Sequence, residues 1–256
     1  MPEATRITHS SNPRCRALLH PCVAWSLALS FIAVGAAARA ETVIGNGKAA
    51  SETRSTGEFN AVALLGDLAL ELHQGSTAAV VVHGDSNLLP LLESVVEPDR
   101  TLHLRWKRGI SVRTDSRTWV EVTAPQIRAV SSAGSGNITI DTMKAPQMSV
   151  SISGSGSVRA KSLTDGELSL SIAGSGGASL AGSATRLDIN LSGSGGVDAA
   201  GLRADEVRVS IAGSGDAAVY ATRTLAVNIA GSGNVTYSGE AAVQRAIVGS
   251  GQVRKR

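Results

Sequence analysis

Cysteine occurs only at Cys15 and Cys22, and aromatic side chains make up 3% of the 256 residues. Both cysteines lie in the first forty residues, so the rest of the chain can form no disulfide and no thiolate-ligated metal site. With so few aromatics, a core must be built from Val, Ile, Leu and Ala, and no aromatic platform for sugars is offered. Nucleophile-elbow (G-x-S-x-G) and zinc-protease (H-E-x-x-H) motifs are missing, as is any cofactor-binding motif. The sequence therefore speaks for a non-enzymatic protein with no cofactor and no metal.

Long apolar runs are scarce too. One, from Ala24 to Ala38, has signal-peptide length and is too short to cross a bilayer comfortably. Arg6, Arg14 and Arg16 precede it, and Ala38-Arg39-Ala40 supplies a small-x-small cleavage site. Residues 1–40 are read as a signal peptide cleaved near Ala40, which places the mature protein in the periplasm, on the outer surface or in the medium. Four of the 24 Lys and Arg and one of the 21 Asp and Glu fall in this segment, leaving 20 of each sign. A near-neutral mature chain gives no case for nucleic-acid binding. Residues 41–56, "ETVIGNGKAASETRST", are polar and small, and are expected as a flexible leader.

What the chain has in abundance is glycine, 28 residues, and half of them are ordered by a repeat. Gly-Ser-Gly triplets start at residues 134, 154, 174, 193, 213, 231 and 249, at spacings of 20, 20, 19, 20, 18 and 18. A period near twenty is the signature of a solenoid. Two residues before the triplets stand Ser132, Ile152, Ile172, Leu191, Ile211, Ile229 and Ile247. Four before stand Val130, Val150, Leu170, Ile189, Val209, Val227 and Arg245; six before stand Arg128, Met148, Leu168, Leu187, Val207, Leu225 and Val243. This period-two alternation puts one apolar and one polar face on a strand. Alternation resumes after each triplet, as in Ile138 and Ile140 or Val158 and Ala160.

Each unit thus reads as strand, corner, strand and second turn. The fold class expected is all-β, a right-handed parallel β-helix or β-solenoid of about seven coils over 131–256. The breaks at Ser132, Arg128 and Arg245 fall in the end coils, where capping units depart from pattern.

The triplets match no phosphate-binding loop, since none continues to a third glycine of G-x-G-x-x-G and none ends in Gly-Lys-Ser/Thr. Glycine costs about 0.5–1 kcal/mol relative to alanine inside regular structure. Repeated use therefore implies a corner that other residues would fit worse. Gly134, Gly136, Gly154, Gly156, Gly174, Gly176, Gly193, Gly195, Gly213, Gly215, Gly231, Gly233, Gly249 and Gly251 are expected to take positive φ or to abut the neighbouring coil.

Residues 57–130 give strands without such corners: "FNAVALL", "LALELH", "AAVVVH", "TLHLRW" and "TWVEVTAP", with "NLLPLLESVV" as a short helical turn or edge crossing. They cap or begin the same solenoid, or form a separate small β domain. His73, His83 and His103 would make a metal site only if adjacent strands brought them together, and no carboxylate spacing accompanies them. Arg105, Lys107, Arg108, Arg113 and Arg117 form a basic stretch suited to a polyanion or to a solvated hairpin. Asp141, Asp165, Asp188, Asp198, Asp205 and Asp216 do not recur in one column, against a calcium-binding β-roll. Asp198, Asp216 and the Asp205/Glu206 pair are the carboxylates available to the alternative reading, a glycan hydrolase or lyase. A Ser/Thr lattice that orders ice is a further thought, although Asp188 and Arg208 interrupt the serine column.

The segments "GEFNAVALLGDLALEL", "VVVHGDSNLLPLLESVV", "LHLRW", "VEVTAPQIRAVSSAGSGNITI" and the serial "ISGSGSV", "IAGSGG", "LSGSGGV", "IAGSGD", "IAGSGNVTYSG" and "VGSGQV" resemble the putative auto-transporter adhesin head domain of bacteria, the GIN domain. The resemblance covers roughly residues 57–253. It implies a β-helical fold, an exported bacterial protein and an adhesive role, and it brings no catalytic residues. An autotransporter carries a C-terminal membrane barrel, whereas here the sequence ends at Arg254-Lys255-Arg256, so release or export by another machine is expected. The partner expected is a surface glycan, an envelope polyanion or a protein.

Overall fold

The computed structural model describes residues 41–256, with Asp165 described by its backbone alone; the expected signal peptide lies outside the described residues. The first strands are β1 (Glu41–Ile44), β2 (Ala49–Arg54), β3 (Ala61–Gly66), β4 (Ala69–Gln74) and β5 (Ala79–Asp85). After a 3-10 turn at Leu89–Leu91 come β6 (Leu92–Val96), β7 (Thr101–Trp106), β8 (Ile110–Arg113), β9 (Trp119–Ala124) and β10 (Ala129–Gly134). The repeat region supplies β11 (Asn137–Gly154), β12 (Ser157–Gly174), β13 (Gly177–Gly193), β14 (Gly196–Gly213) and β15 (Asp216–Gly231), followed by β16 (Asn234–Ser238), β17 (Ala242–Gly249) and β18 (Gln252–Lys255).

The strands from β10 to β18 stack in parallel as a β-solenoid. Seven corners bound about six turns, slightly fewer than the coil count read from the sequence. Corner sits on corner: Gly134 pairs with Gly154, Gly154 with Gly174, and Gly174 with Gly193. Within β11 the buried residues are Ile138, Ile140, Met143, Ala145, Met148, Val150 and Ile152. The two steps of three mark bends, because a third residue is needed to bring the next side chain back inward after the chain changes direction. Each coil therefore has three legs, where the sequence suggested two strands and a single second turn.

Two different constraints act at the corner. Gly174 lies at φ +125°, and a Cβ there would stand 2.4 Å from the Gly154 carbonyl oxygen. Gly176 is not left-handed, but its Cβ would lie 2.5 Å from the Gly156 carbonyl oxygen and 2.9 Å from Ile152 Cγ2. The first glycine of every triplet lies between +120° and +136°. A further result of this close approach is that one carbonyl serves two donors. Ser175 and Gly176 both donate their backbone N–H to the Gly154 oxygen, at 3.0 Å each, and Ser155 and Gly156 do the same to Gly134 at 3.0 and 3.1 Å.

Unequal coil lengths are absorbed away from the corner. Register shifts fall between Ala160 and Leu163, between Ser179 and Ala181, and between Ala199 and Arg203. At the first of these Gly182 (φ +129°) pairs with Leu163 so closely that a Cβ would lie 2.0 Å from the Leu163 oxygen.

The first half joins this stack in an order different from its chain order. β3 pairs in parallel with β10 on one side and with β7 on the other, while β4 pairs with β11 and β9. Residues 61–74 thus form a coil whose corner, at Gly66, pairs with Gly134. The chain then doubles back to add β7 and β9 on the far side before resuming at β10. β5 and β6 run antiparallel to these strands and close that end. Ser132, in an otherwise apolar column, is 3% exposed and donates to the Gly136 carbonyl oxygen at 3.4 Å. Arg128 is exposed, and Ile127 beside it is buried.

Residues 41–56, expected as a flexible leader, carry two strands. β2 pairs antiparallel with β5, and β1 in parallel with β8. Polar contacts hold this segment: Asn87 Nδ2 donates to the Ile44 carbonyl at 2.8 Å, Asn46 Nδ2 to Ser86 Oγ at 2.9 Å, and Thr114 Oγ1 to Asp85 Oδ2 at 2.7 Å. None of these leaves an apolar periodicity, which is why the sequence read as mobile. The Thr114 hydrogen bond is the largest influence on the buried Asp85 carboxyl, holding it below the ordinary 3.8.

Gly174→Ala destabilises by about 2–4 kcal/mol through left-handed strain and the clash with Gly154, whereas Gly196→Ala, with open space at its Cβ position, stays within about 0.5 kcal/mol; urea titration measures both. The depressed Asp85 carboxyl contributes stability that is complete above the ordinary carboxylate value and is lost as pH falls through the folded value. Hydrogen-exchange protection over 41–54, taken relative to the intrinsic rate at each pH, therefore falls below about pH 4, and Asp85→Asn shows the reduced protection already at pH 7.

Candidate groove on the post-corner legs

The legs that follow the corners form an open groove of about 580 Å³ across five coils. Its floor carries Val158, Ala178, Val197 and Ala217, all buried by the parallel stack. Ser157, Arg159, Ser179, Asp198, Asp216, Asn234 and Thr236 bring hydroxyl, amide and charged groups to it. None of the fourteen corner glycines lines it.

The groove arises from one column of residues just after the corners. At its two ends the column is bridged by side chains. Ser157 Oγ donates to Asn137 Oδ1 at 2.7 Å, and Asp216 Oδ1 accepts from Asn234 N and Nδ2 at 2.9 and 3.0 Å. Between them stand Gly177 and Gly196. A Cβ on Gly196 would meet nothing within 4 Å, and one on Gly177 only the Gly196 oxygen at 3.6 Å. These two glycines are not imposed by the turn. The sequence reading left both out of its fourteen corner glycines and gave them no role; the space above them is what sets them apart.

The polar faces elsewhere are tied coil to coil. Arg186 bridges Glu167 at 3.1 Å and Glu206 at 3.2 Å, and Arg223 holds Glu206 from the next coil at 2.7 Å. The hydrogen bond to Glu206 raises the Arg186 guanidinium above its ordinary value. Asp188 and Arg208, which break the serine column, pair with each other at 2.8 Å. Of the carboxylates considered for catalysis, Asp198 and Asp216 line the groove. Asp205 accepts instead from Thr222 Oγ1 at 2.7 Å, and Glu206 is committed to the two arginines. The structure therefore does not gather the four.

Nor does it gather the histidines. His73 faces Asp141 (3.9 Å), His83 faces Glu121 (3.6 Å) and His103 faces Glu97 (3.6 Å). His83 also stacks on Trp119 with centroids 4.5 Å apart. Among the described residues no cluster of His, Asp and Glu is arranged to hold a metal. The basic stretch is divided as well: Arg105 pairs with Glu93, and Arg117 pairs with Glu71 while lying over Trp119. β8 pairs with β1 and so does not fold back on β7 as a hairpin.

A coiled stack of this kind, with these corners, matches a known family across residues 58–241: putative auto-transporter adhesin, head GIN domain. The chain belongs to this family. Among solved structures, a putative adhesin from Bacteroides fragilis NCTC 9343 superposes with TM-score 0.76 at 23% identity, covering 84% of this chain and 100% of that one. A putative lipid binding protein from Parabacteroides distasonis ATCC 8503 gives 0.71 at 26%, again covering 84% and 100%. A putative adhesin from Parabacteroides merdae ATCC 43184 gives 0.69 at 26%, covering 85% and 100%. No curated protein matches the chain.

Because each histidine faces its own carboxylate, replacing any one by alanine leaves the ring NMR chemical shifts of the other two unmoved at constant pH. Zinc at micromolar concentration shifts none of the three in concert.

Proposed function

We propose that this GIN-domain protein is an exported, non-enzymatic binding protein that holds an extended polar ligand, a surface glycan or other cell-envelope component, along the post-corner groove. The observation that carries the reading is the pair Gly177 and Gly196. Each opens a strand of the stack, and here neither turn nor packing requires a glycine. A glycine so placed often marks close approach of a ligand. The rim offers donors and acceptors of both charge signs at the spacing of successive coils, about 4.8 Å, which suits a chain of repeating hydroxylated units. Export is supported by the signal-like segment ahead of residue 41 and by the adhesin description of the family.

A second reading keeps Asp198 and Asp216 as the carboxylates of a glycan hydrolase or lyase, since both face the groove. No aromatic side chain lines the groove to stack a sugar ring.

Binding of residues 41–256 to glycan and lipopolysaccharide arrays tests the proposal. Gly196→Trp fills the groove without touching the corner, so it is expected to leave the thermal midpoint nearly unchanged and to weaken the bound glycan by at least about tenfold. A folded Gly196→Trp variant that binds as the parent does overturns the groove assignment. Shortened glycan products that vanish in Asp198→Asn and Asp216→Asn would establish the enzymatic reading instead.

A further inference from the structure

The last described rung differs from every coil before it. Among the described residues β17 pairs only with β15, and β18 only with β16, so none of them supplies a strand partner to the outward backbone N–H and C=O groups of 242–249 and 252–255. Its inward residues are also uncovered. Val243 and Val253 are half-buried and Ile247 is 37% exposed, while Leu225, Val235 and Ile229, their neighbours in register, are 0–2% exposed. Between Val243 and Ile247 stands Arg245, exposed, in register with Val227. That column otherwise holds Val130, Val150, Leu170, Ile189, Val209 and Val227, each no more than 1% exposed.

Charge on the rung is one-sided. Arg245, Arg254 and Arg256 stand beside a single acid, Glu240, which is occupied by Lys255 at 2.9 Å. A cation pointing into a core column at a sheet edge discourages indiscriminate pairing. It also specifies what could pair. A second copy joined edge to edge about a two-fold axis would bring like charges together across the new ladder, which is destabilising. The opposite end of a second copy is no better matched: on β6 the inward residues are Leu92, Ser94 and Val96, to judge by their register with buried Leu104 and Leu102, and none is acidic, while on β2 the one acid in register with the core, Glu52 opposite Val82, is already paired with Arg54 at 3.0 Å.

We propose that this edge is a docking site for an extended acidic segment of another protein. The segment adds to β17 as the next parallel rung. Its inward positions read apolar, acidic, apolar, so that the outer two cover Val243 and Ile247 and the central carboxylate pairs with Arg245. Backbone hydrogen bonds to the edge supply affinity, and the inward side chains supply selectivity, as in strand addition elsewhere. The burial of Arg245 under the added strand is tolerated because the carboxylate arrives with it.

The test uses a fluorescein-labelled peptide, Thr-Val-Thr-Glu-Thr-Ile-Thr-Gly, whose Val, Glu, Ile and Gly align with residues 243, 245, 247 and 249. Fluorescence anisotropy with residues 41–256 is expected to show saturable binding that weakens with salt and falls at least about tenfold when the peptide Glu is replaced by Gln. Arg245→Glu, at an exposed position that leaves the stack beneath intact, is expected to lose the Glu peptide and gain its Arg counterpart; circular dichroism confirms that it is folded. Equal binding of the Glu and Gln peptides overturns the proposal, as does the absence of saturable binding at millimolar peptide. Two further results overturn it by naming another occupant. One is self-association of the parent protein in the ultracentrifuge that Val243→Lys abolishes, and the other is displacement of the peptide by phosphatidylglycerol vesicles.

Discussion

One carbonyl group per coil organises this protein. The first glycine of each triplet points its oxygen at the next coil, where the serine and, in most coils, the second glycine of the following triplet donate to it together. Two N–H groups can converge on one oxygen only if nothing lies between the coils at that point. A Cβ on either glycine would fall within about 2.5 Å of the carbonyl below, well inside van der Waals contact. Backbone therefore rests directly on backbone, and the corner is pinned in register from Gly66 to Gly249. The glycine cost is offset locally by these bonds and, along the legs, by stacked columns of Val, Ile and Leu.

With the corner fixed, variation is displaced elsewhere. Coils of different length keep their corners aligned and take up the difference at bulges on the far legs. The same fixed corner tolerates a different partner, since the coil of residues 61–74 turns at Gly66-Asp67-Leu68 with no triplet at all and still receives Ser135 and Gly136 on its Gly66 oxygen. What is indispensable there is the conformation of Gly66, at φ +98°, not the Gly-Ser-Gly string.

Glycine thus has two roles at neighbouring positions of the chain. Gly176 is forced by the carbonyl beneath it, while Gly177 beside it is merely permitted. The first determines how the chain turns and the second leaves space on the surface. Around that space, charges are linked between coils, Glu167 to Arg186 to Glu206 to Arg223 and Asp188 to Arg208, so most of the polar face is already occupied with itself. The groove and the terminal rung around Arg245 are two places where polar groups face outward beside open surface.

By itself the sequence determined the β-solenoid, its period, its inward columns and its family, because each follows from residues that repeat. It also marked Ser132, Arg128 and Arg245 as departures at the ends. Only the tertiary structure decided the three-legged coil, the reversal that sets residues 61–74 between later strands, and the strands in 41–54. It alone showed the open space above Gly177 and Gly196, and gave each histidine its own carboxylate. The physical reason is the same in each case. Periodicity reports which face of a strand is buried, but pairing partners far apart in sequence, single polar anchors such as Asp85, and the space above a glycine leave no periodic trace.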